Sequence, residues 1–270
     1  MKKRGFTLVE LLAVLVLIAA ISLLVFPSII NYINSSKGDI NQVTEKLIID
    51  GAKLYVDNNK TLFPEKLNSS GCFVLQELID GEYLEKSTLN NQAGKINPTE
   101  KFVQVDYVID NEIGAPKYNF RILDKCVVYG DVNLDGVVDS TDFDTLKSYI
   151  KNETKLSEEA LLNADVNVDG KVSAYDLTIM KYKTISEPLV TSLPYSIDTS
   201  KFIYGDVNLD GVVNDEDLTI INNIAKGSLE PSDIQRMVGD LNIDGMLTTM
   251  DTSIVNLYMK NKRQELPLID

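Results

Sequence analysis

Residues 129–138 read YGDVNLDGVV, and the same ten residues recur at 204–213. Each copy is followed by a weaker version of itself that begins 34 residues after the first aspartate. A pattern repeated both within a unit and between units predicts two homologous modules, each built from a duplicated half. We call residues 129–185 module 1 and residues 204–265 module 2.

All four copies share a twelve-residue pattern, D-x-N-x-D-G followed by five residues and a final D. They occupy residues 131–142, 165–176, 206–217 and 240–251, which we call loops 1 to 4. This is the spacing of a calcium-binding loop. Ca²⁺ takes six to eight oxygens at about 2.3–2.6 Å. These oxygens come from the side chains at positions 1, 3, 5 and 12, from the backbone carbonyl at position 7, and from position 9 through a water. Glycine at position 6 allows the sharp turn of the loop.

The sequence therefore predicts four Ca²⁺ sites with six ligand positions each. The predicted ligands are Asp131, Asn133, Asp135, Val137, Asp139 and Asp142 in loop 1; Asp165, Asn167, Asp169, Lys171, Ser173 and Asp176 in loop 2; Asp206, Asn208, Asp210, Val212, Asn214 and Asp217 in loop 3; and Asp240, Asn242, Asp244, Met246, Thr248 and Asp251 in loop 4.

A single D-x-N-x-D-G also occurs as an acidic turn without a metal. Four copies in register favour calcium, because thirteen aspartates stand at the ligand positions and would repel one another in unfilled loops. Loop 1 holds four of these aspartates and each other loop holds three. We therefore predict that loop 1 binds Ca²⁺ most tightly.

The modules differ from ordinary EF-hands in two ways. Position 12 is Asp in every loop, and the residues before loops 1 and 3, CVVYG and KFIYG, predict strands, so that only the helix after each loop is expected. A calcium loop with one helix, duplicated at this spacing, resembles the type I dockerin module. That resemblance implies calcium-ordered modules that dock onto cohesin modules, as in the cellulosome-like systems of polysaccharide catabolism.

The resemblance also implies that loop positions 10 and 11, with the helix after them, set partner choice. The candidate partner-binding residues are Ser140 and Thr141, Ala174 and Tyr175, Asp215 and Glu216, and Thr249 and Met250. Only the first pair is the common hydroxyl pair, so docking through two equivalent halves of one module is in doubt. The acidic pair selects another partner or none.

The chain begins MKKRGFTLVELLAVLVLIAAISLLVFPSII. Its apolar run predicts a membrane-spanning helix at residues 6–30, since about 20 apolar residues cross a bilayer. The basic residues before it place the N-terminus on the cytoplasmic side. Glu10 lies inside the run, where a carboxylate costs about 2.5–3.5 kcal/mol and needs a partner. An ordinary signal anchor with a tolerated glutamate is the alternative, and a cleaved secretory signal fits less well because the small residue precedes the apolar run.

The segment GFTLVE at residues 5–10, with Pro27 at the position of a helix kink, resembles the processing site of type IV pilins and pseudopilins. The resemblance implies that a prepilin peptidase cleaves between Gly5 and Phe6, and that the new amine of Phe6 is methylated. Glu10 would then neutralise the Phe6 amine of a neighbouring subunit, which supplies the partner that its burial requires.

Composition limits the functions of the chain. The formal net charge of −14 argues against a nucleic acid partner. The chain has no histidine, the commonest general base. The only cysteines, Cys72 and Cys126, are either one disulfide of an exported protein or two unpaired thiols.

The sequence predicts an α+β fold. A long N-terminal pilin helix continues past Pro27 to the run at residues 57–59 and packs on a small antiparallel sheet. Strands are predicted at 102–108, 118–123 and 126–129, and a short helix and turn at 72–84. Two all-α calcium-loop modules follow. The predicted domains are a leader (1–5), a pilin-like domain (6–128), module 1 (129–185), a semi-rigid linker (186–203) and module 2 (204–265).

We therefore expect a pilin-like filament subunit that displays two calcium-dependent modules to cohesin-bearing proteins. Its expected partners are other pilin subunits, the prepilin peptidase, and the membrane through residues 6–30. It would be a single-pass membrane protein before assembly and extracellular, on the cell surface or pilus, after processing. The alternatives are a structural or adhesive pilin whose modules are rigid spacers, and a surface-displayed hydrolase. We expect no enzymatic activity.

Overall fold

The structure is a computed structural model that describes residues 42–90, 96–260 and 265–269. The predicted leader, the processing site, Glu10 and the apolar helix lie outside these ranges. No helix within the ranges is long and apolar enough to cross a membrane. Residues 39–270 form one compact unit, in which a small head precedes the two modules.

The head is built on one helix, α1, which spans Gln42–Asn58. Ile48, Ala52 and Val56 recur every fourth residue on one side of this helix, and each is at most 1% exposed. They share a core with the inward-facing side chains of a small sheet. The helix ends at Asn58, as the predicted stop at 57–59 requires.

The sheet is an antiparallel meander of three strands in the order β1-β2-β3. Strand β1 spans Ser69–Val74, β2 spans Phe102–Asp110 and β3 spans Ala115–Leu123. Two short helices, α2 (Gln76–Asp80) and α3 (Lys86–Asn90), lie between β1 and β2. The predicted strands at 102–108 and 118–123 are confirmed as parts of β2 and β3.

The third predicted strand, at 126–129, is wrong. Its backbone donors bond to side chains instead of a neighbouring strand: the Val127 N–H donates to Gln104 Oε1 (3.1 Å) and the Val128 N–H donates to Asn163 Oδ1 (3.0 Å). The third strand is β1, so the predicted helix at 72–84 begins too early. Its first residues pair with β2, where they complete the backbone hydrogen bonds of the sheet.

Cys72 and Cys126 form a disulfide bond. This settles the two readings of the cysteines in favour of the bridge. The bond ties the edge strand β1 to the segment that leads from β3 into module 1.

The head and module 1 meet at a buried polar cluster of Asp106, Arg121 and Tyr129. Asp106 is fully buried, and its Oδ2 lies 3.0 Å from Nη2 of Arg121. The Tyr129 hydroxyl donates to the same oxygen over 2.8 Å and accepts a hydrogen bond from Arg121. A charged pair held in this way joins two domains without leaving either charge alone.

Each module contains three helices, and its first helix packs on its third. In module 1 these are α4 (Ser140–Ile150), α5 (Glu158–Ala164) and α6 (Ala174–Thr184). In module 2 they are α7 (Asp215–Ala225), α8 (Asp233–Gly239) and α9 (Thr249–Met259). Helices α5 and α8 were not predicted. They precede loops 2 and 4, which therefore have a helix on both sides.

The segments before loops 1 and 3 are not strands either, because neither forms a ladder with a neighbour. The mixed α and β architecture, with a three-stranded antiparallel sheet and helical modules in the C-terminal part, agrees with the predicted class. The predicted long pilin helix stays a prediction, because the described residues contain only the stretch that forms α1.

The chain returns to each module after its third helix. The Tyr195 N–H donates to the carbonyl of Val166 in loop 2 (2.8 Å), and the Leu268 N–H donates to the carbonyl of Leu241 in loop 4 (2.6 Å). Both acceptors stand at loop position 2. The segment 186–203 is therefore attached to the modules, although its boundaries as a linker stay a prediction.

Candidate calcium-binding loops

The four loops share one backbone conformation. Position 4 has a positive φ in every loop: 64° at Leu134, 59° at Val168, 61° at Leu209 and 52° at Ile243. Branched side chains rarely adopt this region, so the surrounding hydrogen bonds must hold the turn in place. This turn is not predictable from the sequence, because nothing in the residue type at position 4 indicates it.

The carboxylate at position 1 holds the turn. In loop 1, Asp131 Oδ1 accepts a hydrogen bond from the Asp135 N–H (3.0 Å) and Oδ2 accepts one from the Gly136 N–H (3.2 Å). The same two bonds occur in the other three loops at 2.8–3.1 Å. Position 1 thus orders the loop as well as offering oxygens to a cation.

The carboxylate at position 12 closes the loop from its other end. Asp142 is fully buried, and its oxygens accept hydrogen bonds from the Val132 N–H (2.7 Å) and the Asp139 N–H (2.9 Å). The equivalent aspartates of the other loops are fully buried as well. The bond from position 9 belongs to a capping box, in which the position 9 side chain caps the helix that follows.

Positions 3 and 5 are held against each other. In loop 1, Asn133 donates through Nδ2 to Asp135 Oδ2 (2.8 Å), and Asp135 Oδ1 accepts from the Val137 N–H (2.9 Å). The first bond recurs in the other loops at 2.8–3.0 Å and the second at 2.8–2.9 Å. The side chains at position 7 contribute no oxygen, which leaves the backbone carbonyl there as the predicted ligand.

Loop 4 contains an orphaned oxygen. In loops 1 to 3 the asparagine Oδ1 at position 3 accepts a hydrogen bond from the N–H of position 5. Asn242 Oδ1, at the same position of loop 4, is buried and has no hydrogen-bond partner. A buried acceptor without a donor is costly. A hard cation among carboxylate and amide oxygens would satisfy it, so the residues present fit Ca²⁺.

The acidity of the loops supports the same conclusion. Burial, with the nearby carboxylates of Asp251 and Asp244, raises the pKa of Asp240 to about 7. Burial, with the neighbouring Asp169 carboxylate, raises the pKa of Asp165 to about 7. Without a metal, burial and the neighbouring carboxylates thus disfavour the ionised form of Asp165 and Asp240. A divalent cation would stabilise that ionised form. Among the described residues, however, no three Asp, Glu or Cys side chains form a metal cluster by themselves.

The candidate partner-binding pairs differ in exposure. Ser140 and Thr141, Asp215 and Glu216, and Thr249 and Met250 are exposed at the starts of α4, α7 and α9. Ala174 and Tyr175 are only partly exposed at the start of α6. The Tyr175 ring stacks on the ring of Tyr204, with centroids 5.5 Å apart and planes 9° apart. The fold therefore presents three of the four pairs and covers one.

Comparison with known families finds matches at both predicted features, the N-terminal processing motif and the two calcium-loop modules. The type I dockerin domain matches residues 129–183 and 204–260. The prokaryotic N-terminal methylation motif matches residues 1–26. No curated protein matches the chain. The chain therefore carries the methylation motif of a pilin-like subunit and two type I dockerin domains, a class of domain that binds calcium.

Proposed function

We propose that this protein is a filament subunit that displays two calcium-ordered dockerin modules to cohesin-bearing proteins. The observation that carries the proposal is the pair of exposed hydroxyls at Ser140 and Thr141, held at the start of α4 by the capping box of loop 1. Calcium would order this pair, because the carboxylate at position 12 belongs to both the loop and the helix start. Docking is then expected to depend on calcium.

The test is capture of the purified chain by a panel of purified cohesin modules, with calcium and with an excess of chelator. The proposal expects capture by at least one cohesin in calcium and none in chelator. Substituting Asp142 by Asn is the loop control, because it keeps the shape of the side chain and removes its charge. Failure of every cohesin to bind the folded, calcium-loaded chain would contradict the proposal.

We propose four Ca²⁺ ions per chain, one in each loop. The support is a set of hydrogen bonds that recurs in all four loops. The N–H groups of positions 5 and 6 donate to the position 1 carboxylate, and the N–H of position 9 donates to the position 12 carboxylate. Native mass spectrometry counts the ions directly. Titration of single-loop variants tests the expectation that loop 1, which has four aspartates, is the tightest.

The N-terminal part would anchor the modules, first in the membrane and then in the filament. We propose that the chain is cleaved between Gly5 and Phe6, that it is inserted in the membrane through residues 6–30 before assembly, and that it stands on the cell surface afterwards. The support is the match to the methylation motif. Mass spectrometry of the mature N-terminus tests it, since the proposal expects a methylated Phe6.

A second candidate is a rigid spacer whose modules bind no cohesin. The contacts between domains favour it, because the Tyr129 cluster joins the head to module 1 and Tyr204 joins module 1 to module 2. Calcium-dependent folding without capture by any cohesin would select this candidate. We propose no catalytic role, and turnover of a polysaccharide or peptide by the purified chain would contradict that.

A further inference from the structure

The helices that follow the four loops share one face, which we call the outer face. It consists of loop position 11 and the residues three and seven positions further along the helix, which lie on one side of an α-helix. The outer-face residues are Thr141, Asp144 and Ser148 on α4; Tyr175, Thr178 and Tyr182 on α6; Glu216, Thr219 and Asn223 on α7; and Met250, Ser253 and Leu257 on α9.

The outer face of α6 differs from the other three in its burial. Thr178 and Tyr182 are 0% and 2% exposed. Their counterparts on α9, Ser253 and Leu257, are both exposed. Equivalent positions of two homologous modules thus have opposite environments, so the burial on α6 comes from outside its own module.

The first part of the cover is formed by Phe202 and by Tyr204, the first residue of module 2. The Tyr204 hydroxyl donates to the carbonyl of Ala174 (2.8 Å) and lies 2.7 Å from Thr178 Oγ1. Phe202, which is fully buried, meets the Tyr175 ring edge-on with centroids 5.3 Å apart. These contacts occupy the first half of the outer face of α6.

The second part of the cover is module 2 itself. The Tyr182 hydroxyl lies 3.1 Å from the carbonyl of Arg236, in α8, and 3.1 Å from Oδ2 of Asp240, the first residue of loop 4. At Gly245 of loop 4 an added Cβ would lie 3.0 Å from a methyl carbon of Ile185, which follows α6. Module 2 therefore covers the far half of the same face.

We infer that module 2 masks the outer face of α6, so that module 1 receives a partner through α4 alone and in one orientation. The tandem then presents three outer faces instead of four. The inference rests on the proposed function for its consequence, since the resemblance to dockerins implies that each half of a module carries a docking face, and the masked face would be the second of module 1. The masking itself rests only on the contacts described above.

Thiol labelling of the full calcium-loaded chain tests the masking without any partner. The chain has no free cysteine to interfere. Thr178→Cys and Ser253→Cys place a similar small thiol at equivalent positions of α6 and α9. We expect maleimide to label T178C at least ~30-fold more slowly than S253C, because labelling at position 178 requires local opening. Equal rates would overturn the inference.

Two further measurements keep the test independent of the folding of T178C. Adding Tyr204→Ala to T178C removes part of the cover, and we expect it to raise the labelling rate towards that of S253C. In the unmutated chain, hydroxyl-radical footprinting compares the modification rate of each side chain with its rate in the calcium-free unfolded chain. We expect this relative rate to be low for Tyr175 and Tyr182 and high for Met250 and Leu257. Modification of Tyr182 at its unfolded rate would contradict the masking.

Cohesin binding tests the consequence. Ser140→Asp with Thr141→Glu transplants the acidic pair of α7 onto α4, the equivalent helix start of module 1. If α6 is masked, this variant should bind one cohesin fewer per chain, counted by native mass spectrometry with the cohesin panel. Unchanged stoichiometry would mean that module 1 docks through α6, and the inference would fall. If no cohesin binds the unmutated chain, the proposed function fails while the labelling result still decides the masking.

Discussion

The duplicated tyrosines allow the two domain joints to be compared by one substitution, Tyr to Phe. Tyr129 and Tyr204 occupy the same position of the ten-residue repeat, and both are 7% exposed. Tyr129 bonds to a charged pair, whereas Tyr204 bonds to the neutral carbonyl of Ala174 and the neutral hydroxyl of Thr178. The aromatic ring is kept in both variants, so the difference between them reports the hydroxyl environment.

The structure sets the expected magnitudes. In Tyr129→Phe, Asp106 keeps the hydrogen bonds from Ser70 (2.7 Å) and Gln104 (3.0 Å), and Arg121 keeps Asp106. The substitution removes two charge-assisted hydrogen bonds, one to Asp106 and one from Arg121. Because both charged groups keep other partners, we expect a loss of about 2–3 kcal/mol of unfolding free energy. Tyr204→Phe removes neutral hydrogen bonds, and we expect it to cost about 1 kcal/mol.

The assay is urea unfolding of calcium-saturated residues 39–270, monitored through the near-ultraviolet circular dichroism of the tyrosines. Coincident transitions by a second probe are required before free energies are compared. We expect the unfolding midpoint of Tyr129→Phe to fall clearly below that of Tyr204→Phe. Equal losses would refute the reasoning, because they would show that the charged cluster contributes no more than a neutral contact.

Three other predictions concern the disulfide, the acidity of the loops and Glu10. Replacing Cys72 and Cys126 by serine should lower the unfolding free energy by about 4 kcal/mol in the chain-entropy account, since the bridge spans 54 residues. The urea midpoint, compared with that of the unmutated chain with and without reductant, measures this loss. Without calcium, the raised pKa values of Asp165 and Asp240 mean that these two groups bind more protons in the folded state. Their contribution to stability is therefore fully present below about pH 4 and is lost as pH rises to about 7, by up to ~1.4 kcal/mol per pH unit per group; urea titrations at several pH values, with and without calcium, should show that calcium reduces this slope. Glu10→Ala should leave membrane insertion intact and impair filament incorporation, and normal incorporation of that variant in a pilus preparation would count against the role given to Glu10.

The loops were predictable because their order is local. Each aspartate at positions 1 and 12 bonds to backbone N–H groups within ten residues of itself, so spacing alone encodes the turn and the start of the next helix. The short helices α5 and α8 had a local signal too. Ser157 and Ser232 cap them, and Gln235 completes a capping box with Ser232. A search for that box would have found α8.

The other errors came from contacts between distant residues. Strand β1 is six residues long and is defined by its register against β2, which lies roughly 30 residues further along the chain. Local propensity carries little information about such pairing. The burial of Tyr182 could not be predicted from its local sequence either, because its partners Arg236 and Asp240 lie 54 and 58 residues further along the chain.

The identity of the ten-residue repeat has a structural meaning beyond calcium. The aspartates at its loop positions build the calcium loop in both modules, but its leading tyrosine faces outward from the module, towards whichever domain precedes it. Tyr129 meets a charged pair in the head and Tyr204 meets the outer face of α6. The same residue therefore serves two unlike partners, and the difference between the joints lies in the preceding domain. This explains how a duplicated module can be joined in series: the first copy gives up the outer face of its last helix to the second, while α9 keeps its own outer face exposed.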